Sequence, residues 1–357
     1  MKKRIGILTS GGDCPGLNAA IRGVAKASYG MFDCQIIGIE DGFRGLIYNK
    51  YKNMKEYDFS GILTRGGTIL GTSRTPFKQM RILEEDNIDK VKNMINTYEA
   101  LKLDCLVTLG GNGTHKNANL LREEGLNIIA LPKTIDNDIW GTDITFGFHS
   151  AVDIATEVID RVHTTADSHD RVMLVELMGH KAGWLTLYAG IAGGADVILI
   201  PEIPYNEEKV FETLENRRAA GKNFSILAIA EGAMTEEEAK MSKKDLKKLR
   251  EMTPNYTASY QLASEIAKRT GLETRVTIPG HQQRGGSPSP YDRLLSTKLG
   301  TFAAEMIAEK KYGITVSIVN NKTKATSLSE VAGKLKLVEH DEELISTARK
   351  VGVGFGN

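Results

Sequence analysis

The chain has 357 residues, enough to bury one large α/β core or two smaller ones. Its 46 basic and 45 acidic side chains leave a formal net charge of +1, so it lacks the basic excess that nucleic-acid or other polyanion binding requires, and any anion site must be local. Three cysteines, Cys14, Cys34 and Cys105, have no paired spacing and fit a reducing cytoplasm rather than a disulfide framework or a zinc site; the short apolar run after Arg4 is no signal peptide, and no stretch nears the roughly 20 apolar residues of a membrane span.

In chain order, a predicted strand over Arg4–Thr9 runs into Ser10-Gly11-Gly12-Asp13-Cys14-Pro15-Gly16 and then a helical pattern over Leu17–Tyr29. Glycines at the carboxyl end of a strand let backbone N–H groups approach a ligand, and the helix start behind them adds partial positive charge suited to phosphate. The loop lacks the spacing of a Walker A or G-x-G-x-x-G motif. Cys14 in it reads as a small side chain filling a tight turn rather than as a reactive thiol. A strand follows at Gln35–Ile39, then a second loop, Gly66-Gly67-Thr68-Ile69-Leu70-Gly71-Thr72-Ser73-Arg74.

Further on come a helical pattern over Asn87–Leu101, a strand over Cys105–Leu109, and a third loop, Gly110-Gly111-Asn112-Gly113-Thr114, whose helix carries His115 and Lys116. Three such loops after apolar runs point to a polyphosphate lying across several strand ends. The strand Asn127–Leu131 leads into Pro132-Lys133-Thr134-Ile135-Asp136-Asn137-Asp138. Two carboxylates two residues apart in a loop can face one small volume. One can serve as base to a hydroxyl nucleophile and the other can help hold a metal at a phosphoryl donor. Ordinary Asx capping explains an isolated D-N-D, but here a lysine, a threonine and the glycine loops stand beside it.

The rest of the chain alternates helical patterns (Ser150–Thr165, Tyr256–Thr270) with apolar strands at Arg171–Glu176, Asp196–Ile200, Phe224–Ala230, Arg275–Ile278 and Thr315–Val319. Near-continuous apolar strands alternating with helices imply βαβ units and parallel sheets. Met234–Thr253, dense in Glu and Lys, reads as a solvated helical insertion. His281-x-x-Arg284 before Gly285-Gly286 is a compact donor cluster for phosphate.

Taken together, Gly11–Asn18, Gly111–Thr114, Thr134-Ile135-Asp136-Asn137-Asp138, Met178-Gly179 and Pro279–Pro288 resemble the bacterial-type 6-phosphofructokinase family, in its motif order and over roughly residues 4 to 300. The resemblance implies an α/β fold of two Rossmann-like three-layer domains with mostly parallel sheets and the active site in the cleft between them. It divides the chain into residues 1–140, the donor-binding domain to which part of 255–310 returns; 141–254, the sugar-phosphate-binding domain; and 311–357, a C-terminal segment. It also implies a glycolytic kinase making fructose 1,6-bisphosphate from fructose 6-phosphate.

By that resemblance Asp136 is the base, with Thr134 and Asp138 orienting the nucleophile and helping a Mg²⁺ site, and Arg171 stabilises the transferring phosphoryl and contacts the sugar phosphate. Gly11, Gly12, Arg74, Thr75, Gly111, Asn112, Gly113 and Thr114 hold the donor. Met178, Gly179, His180 and Glu231 line the sugar pocket, and Arg275, His281 and Arg284 grip the 6-phosphate. Arg171 and Arg275 reach in from a neighbouring subunit, so a homo-oligomer, dimer or tetramer, is implied.

Two positions bear on the donor. Pyrophosphate-using members carry aspartate where this chain has Gly113, and glycine leaves room for the nucleotide α-phosphate. Lys133 points the other way, since pyrophosphate users carry a catalytic lysine there, whose charge stabilises the leaving phosphate. The pair resembles the family's mixed-substrate group, and exclusion by a missing carboxylate is the harder effect to evade, so ATP is favoured over pyrophosphate. Asn112 stands where a metal-associated aspartate is usual and is a weaker ligand for a hard cation. His180 replaces an arginine.

Other classes fit less well. An NAD or lipid kinase needs the glycine loop but not T-I-D-N-D with a His-Arg grip. A sugar-phosphate sensor needs no base. A dehydrogenase needs the missing fingerprint and its acidic ribose contact.

Overall fold

The computed structural model describes residues 2–83, 88–252 and 257–357. The chain folds as two compact units, residues 1–150 with 284–336 and residues 151–283 with 337–357, so it passes between them three times. Both are α/β units with mainly parallel sheets, as the strand and helix alternation predicts. Among the described residues no helix is long and apolar enough to cross a membrane.

The first unit holds β1 (Lys3–Thr9), β2 (Cys34–Ile39), β3 (Tyr51–Met54), β4 (Cys105–Gly110), β5 (Ile128–Pro132), β10 (Ile314–Val319) and β11 (Lys322–Ser327), numbered along the whole chain. They lie in the order β11-β10-β5-β4-β1-β2-β3. From β1 the chain grows to one side through β2, and from β4 to the other through β5. The β1/β4 junction is therefore a topological switch point, the place where open α/β sheets bind ligands beyond their strands' carboxyl ends. Strands β4 and β5 are buried along their whole length, which is why they read as unbroken apolar runs. The edge strands β3 and β11 pair antiparallel and are largely polar and exposed. The sequence reading did not include them, because YKNM and KTKATS carry neither an apolar run nor a clean alternation.

Helix Leu17–Met31 packs against helix Pro290–Ala308 with their backbones nearly touching. A Cβ on Gly300 would stand 2.6 Å from the Ala20 carbonyl oxygen, and one on Gly23 would stand 3.0 Å from that of Thr297, so the crossing admits only glycine. Buried Asp292 ties this helix to the segment before residue 151. It accepts from the N–H groups of Gly147 (2.9 Å) and Ser150 (2.8 Å) and from the Ser150 hydroxyl (2.6 Å).

The second unit holds β6 (Val172–Leu177), β7 (Val197–Leu199), β8 (Ser225–Ala230) and β9 (Thr274–Thr277), all parallel, in the order β7-β8-β6-β9. Arg171, read from the sequence as the first residue of its strand, lies just before β6. The chain's last residues close the β7 edge, where Gly354 bridges Val197 and accepts from the Ile198 N–H at 2.9 Å. Val338 donates to Glu202 at 3.0 Å. The acidic-basic insertion forms helices Glu236–Lys240 and Lys243–Met252, the second with no buried side chain. Asn87, Tyr256 and Thr253, at the ends of predicted helices and of the insertion, lie outside the described residues.

Candidate active site

Within the first unit, two glycine turns flank the switch point. Gly11, at φ 85, needs the left-handed backbone that glycine tolerates. Its N–H donates to Ser73 (3.0 Å), and the Thr72 hydroxyl donates to its carbonyl (2.7 Å), so the Gly66–Arg74 loop is fastened to the turn after β1. Asn18 does the rest. Its buried amide donates to Arg65 (3.0 Å) and Gly66 (3.2 Å) and accepts from the Ile69 N–H (2.8 Å). Arg74 beyond this loop is exposed, and the Thr75 carbonyl accepts from Asn117 at 2.9 Å. Sequence reasoning gave Asn18 and Asn117 no role, because a single amide carries no spacing signal.

After β4, Gly111 caps helix Asn112–Glu123 in an extended conformation, with no side-chain cap to cover the free N–H groups of the first turn. A Cβ on Gly113 would meet nothing within 4 Å. The Thr114 hydroxyl turns inward to the Ser10 carbonyl at 3.4 Å. The Asn112 amide nitrogen is engaged by the Lys334 carbonyl. His115, fully buried, bridges Gly111 and β10: Nδ1 lies 3.0 Å from the Gly111 carbonyl, so Nδ1 carries the proton, and Nε2 lies 2.9 Å from the Thr315 hydroxyl.

Burial pushes the His115 pKa down from 6.5 to about 4. The folded state thus refuses a proton that the unfolded chain accepts. The stabilisation is complete above about pH 6.5 and is lost as pH falls toward 4. Between pH 7 and pH 5 the loss is about 2 kcal/mol. Urea unfolding at those two values should show a stability drop larger by that amount in the native chain than in His115→Gln.

The carboxylate loop is rigid. Asn137 sits at φ 51 and accepts from the Thr145 N–H at 3.1 Å, while the Thr145 hydroxyl donates to the Thr134 carbonyl at 2.8 Å. The Thr134 hydroxyl accepts from the Asp136 N–H at 3.0 Å. Asp136 Oδ1 and Asp138 Oδ1 are buried without a hydrogen-bond partner among the described residues. Burial, then the neighbouring Asp136 charge, pushes Asp138 up to about 6.

Lys133 is buried, which lowers its pKa, and its ammonium donates to the Gly12 carbonyl. Arg284 donates to the Asp13 carbonyl at 3.2 Å, and a Cβ on Gly12 would stand 2.8 Å from its Nη1. Two cations therefore back the turn after β1, and Arg284, expected at the sugar phosphate, stands against that turn. Cys14 is fully buried, with its pKa raised to about 12 by burial, and is the turn filler that its position predicts.

The second unit carries the other residues expected at the sugar and its phosphate, toward opposite ends of one sheet. Met178, Gly179 and His180 follow the carboxyl end of β6, and Glu231 follows that of β8. Glu231 accepts from the His180 N–H at 2.8 Å, and His180 is held at φ 53. Gln283, buried and missed by sequence reasoning, accepts from the Met178 N–H (3.3 Å) and donates to Gly280 (3.0 Å), which fixes the turn bearing exposed His281. Arg171 and Arg275 are at the other end. Arg171 precedes β6, and Arg275, the second residue of β9, is in register with Met173, so by strand rise they lie roughly 23 Å and roughly 16 Å from Met178.

The fold has counterparts. A family model described as Phosphofructokinase matches residues 4–307. A protein of Spirochaeta thermophila named ATP-dependent 6-phosphofructokinase is 58% identical over 99% of this chain and 98% of its own length. The crystal structure of Pichia pastoris phosphofructokinase in the T-state matches 99% of this chain and 37% of that longer one, at 31% identity and TM-score 0.79. A pyrophosphate-dependent phosphofructokinase from Marinobacter aquaeolei has TM-score 0.80 at 22% identity over 99% of this chain and 88% of its own, a likeness of fold alone. A match over most of the chain, added to the glycine turns and the aspartate loop at the sheet's switch point, means that this chain belongs to the phosphofructokinase family.

Proposed function

We infer that the chain is an ATP-dependent 6-phosphofructokinase, which transfers the terminal phosphoryl group of ATP to the 1-hydroxyl of fructose 6-phosphate in the cytoplasm. The observation that carries this reading is the Asp136 carboxylate. One of its oxygens is buried and unpartnered on a rigid loop beside the switch point. Leaving such an acceptor unsatisfied costs stability, and a hydroxyl that loses its proton in the reaction is the partner it suits. The first unit supplies the donor turns and this base, and the second supplies the sugar contacts.

In the transfer, the backbone N–H groups of Gly12 and of the Gly111–Thr114 turn hold donor phosphates, with Lys133 and Arg284 adding positive charge behind them. Thr134 fixes Asp136, which accepts the proton of the sugar hydroxyl as the phosphoryl group arrives in line. The described residues contain no group of three or more His, Cys, Asp or Glu able to hold a metal alone, but the free oxygen of Asp138 fits a hard cation shared with donor phosphates. Mg²⁺ bound there would neutralise charge developing on the transferred group. Asn112, engaged by Lys334, is the poorer candidate.

The placement of Arg171 and Arg275 supports an oligomer. They stand too far from the sugar residues of their own sheet to reach the same substrate, so they serve a neighbouring copy. Pyrophosphate is the second reading of the donor, favoured by the position of Lys133 beside the Gly11–Gly12 turn. A coupled assay for fructose 1,6-bisphosphate with ATP and pyrophosphate in parallel at matched Mg²⁺ decides it. ATP should support turnover, and activity with pyrophosphate alone would overturn the assignment.

A further inference from the structure

The two arginines assigned to a neighbouring subunit's substrate share one carboxylate. Arg171 Nη2 lies 3.1 Å from Glu273 Oε1, and Arg275 Nη2 pairs with the same oxygen. The sheet creates this meeting. In the parallel register of β6 and β9, Val172 pairs with Thr274 and Met173 with Arg275, so Arg171 and Glu273 enter their strands side by side. The three side chains are 23%, 46% and 53% exposed for Arg171, Glu273 and Arg275, which leaves them open to an incoming anion. Two guanidinium groups converging this closely repel unless an anion lies between them. The hydrogen bond from Arg171, together with the charges of both arginines, holds the Glu273 carboxyl below its usual range. Each guanidinium has five N–H donors, and Glu273 engages one nitrogen of each.

We propose that Glu273 is a positioning residue for sugar-phosphate recognition: it holds Arg171 and Arg275 side by side so that they meet the phosphate of the neighbouring subunit's substrate as a preformed pair. This rests on the reading of those arginines given above. Glu273 itself touches no substrate and contributes by limiting the freedom the arginines lose on binding. The same geometry admits the opposite effect, a carboxylate that competes with the phosphate, and the two differ in sign.

The test is steady-state kinetics on Glu273→Ala, Glu273→Gln, Glu273→Asp, Arg171→Ala and Arg275→Ala, with oligomeric state followed by light scattering. Glu273→Ala should raise KM for fructose 6-phosphate about tenfold, with KM for ATP within about twofold. Glu273→Asp should recover part of the loss. The Glu273→Ala/Arg171→Ala double variant should be little worse than Arg171→Ala, as expected if Glu273 acts through the arginine. A fall in KM would overturn the proposal in favour of competition. Dissociation of the oligomer by Glu273→Ala would overturn it by assigning the carboxylate to assembly. If both arginine variants raise KM while Glu273→Ala does not, the proposal fails and the reading of the arginines stands. If the arginine variants leave KM unchanged, both fall.

Discussion

Asp136→Asn should lower kcat by about a thousandfold or more while fructose 6-phosphate still binds. A positioned general base contributes roughly 10²- to 10⁴-fold, and the amide keeps the side chain's shape but cannot take the proton. The fold should tolerate the change. The hydrogen bond holding this residue runs from its backbone N–H to the Thr134 hydroxyl, and the Asn137–Thr145 contacts that shape the loop do not involve the Asp136 side chain. The measurements are turnover by the coupled assay and sugar binding by calorimetry. Near-normal turnover with intact binding would remove Asp136 from the chemistry.

Gly113→Asp should leave folding intact and remove ATP as a donor. No atom lies within 4 Å of the position a Cβ would take there, so the new side chain enters open space at the first turn of helix Asn112–Glu123, where a carboxylate also suits the helix dipole. Facing a nucleotide phosphate, that charge costs several kcal/mol, so kcat/KM for ATP should fall at least about a hundredfold. The unfolding midpoint should stay near that of the native chain. Unchanged ATP kinetics would show that the nucleotide does not pass this glycine, and the preference for ATP would lose its basis in the sequence.

Much of this was legible before any coordinates. Eight of the nine predicted strands are largely buried runs, the exception being the half-exposed Arg275–Ile278, and two of the three glycine loops directly follow strands, β1 and β4. What could not be read is pairwise. Nothing about Glu273 marks it until the register sets it beside Arg171, and Gln283 reads as one polar residue among several until it meets Met178. The polar edge strands β3 and β11 exist because β2 and β10 offer them an edge, a tertiary cause with no local signature. Of the points where the chain passes between units, near residues 150, 283 and 336, the second lies in a glycine- and proline-rich stretch, Pro279 to Pro290, but that stretch reads first as a phosphate grip and not as a boundary.

That threading has a consequence for how the protein is made. Strand β5 leaves the ribosome early, but its outer neighbour, β10, begins only at Ile314, after the whole middle segment of the second unit has been synthesised. At about 5–20 residues per second, the β5 edge waits on the order of ten seconds for its partner, with its N–H and C=O groups able to pair with another nascent chain. The second unit in turn cannot seal β7 until Gly354 has been synthesised. Each unit therefore stays incomplete until a later return of the chain supplies its missing strand or bridge.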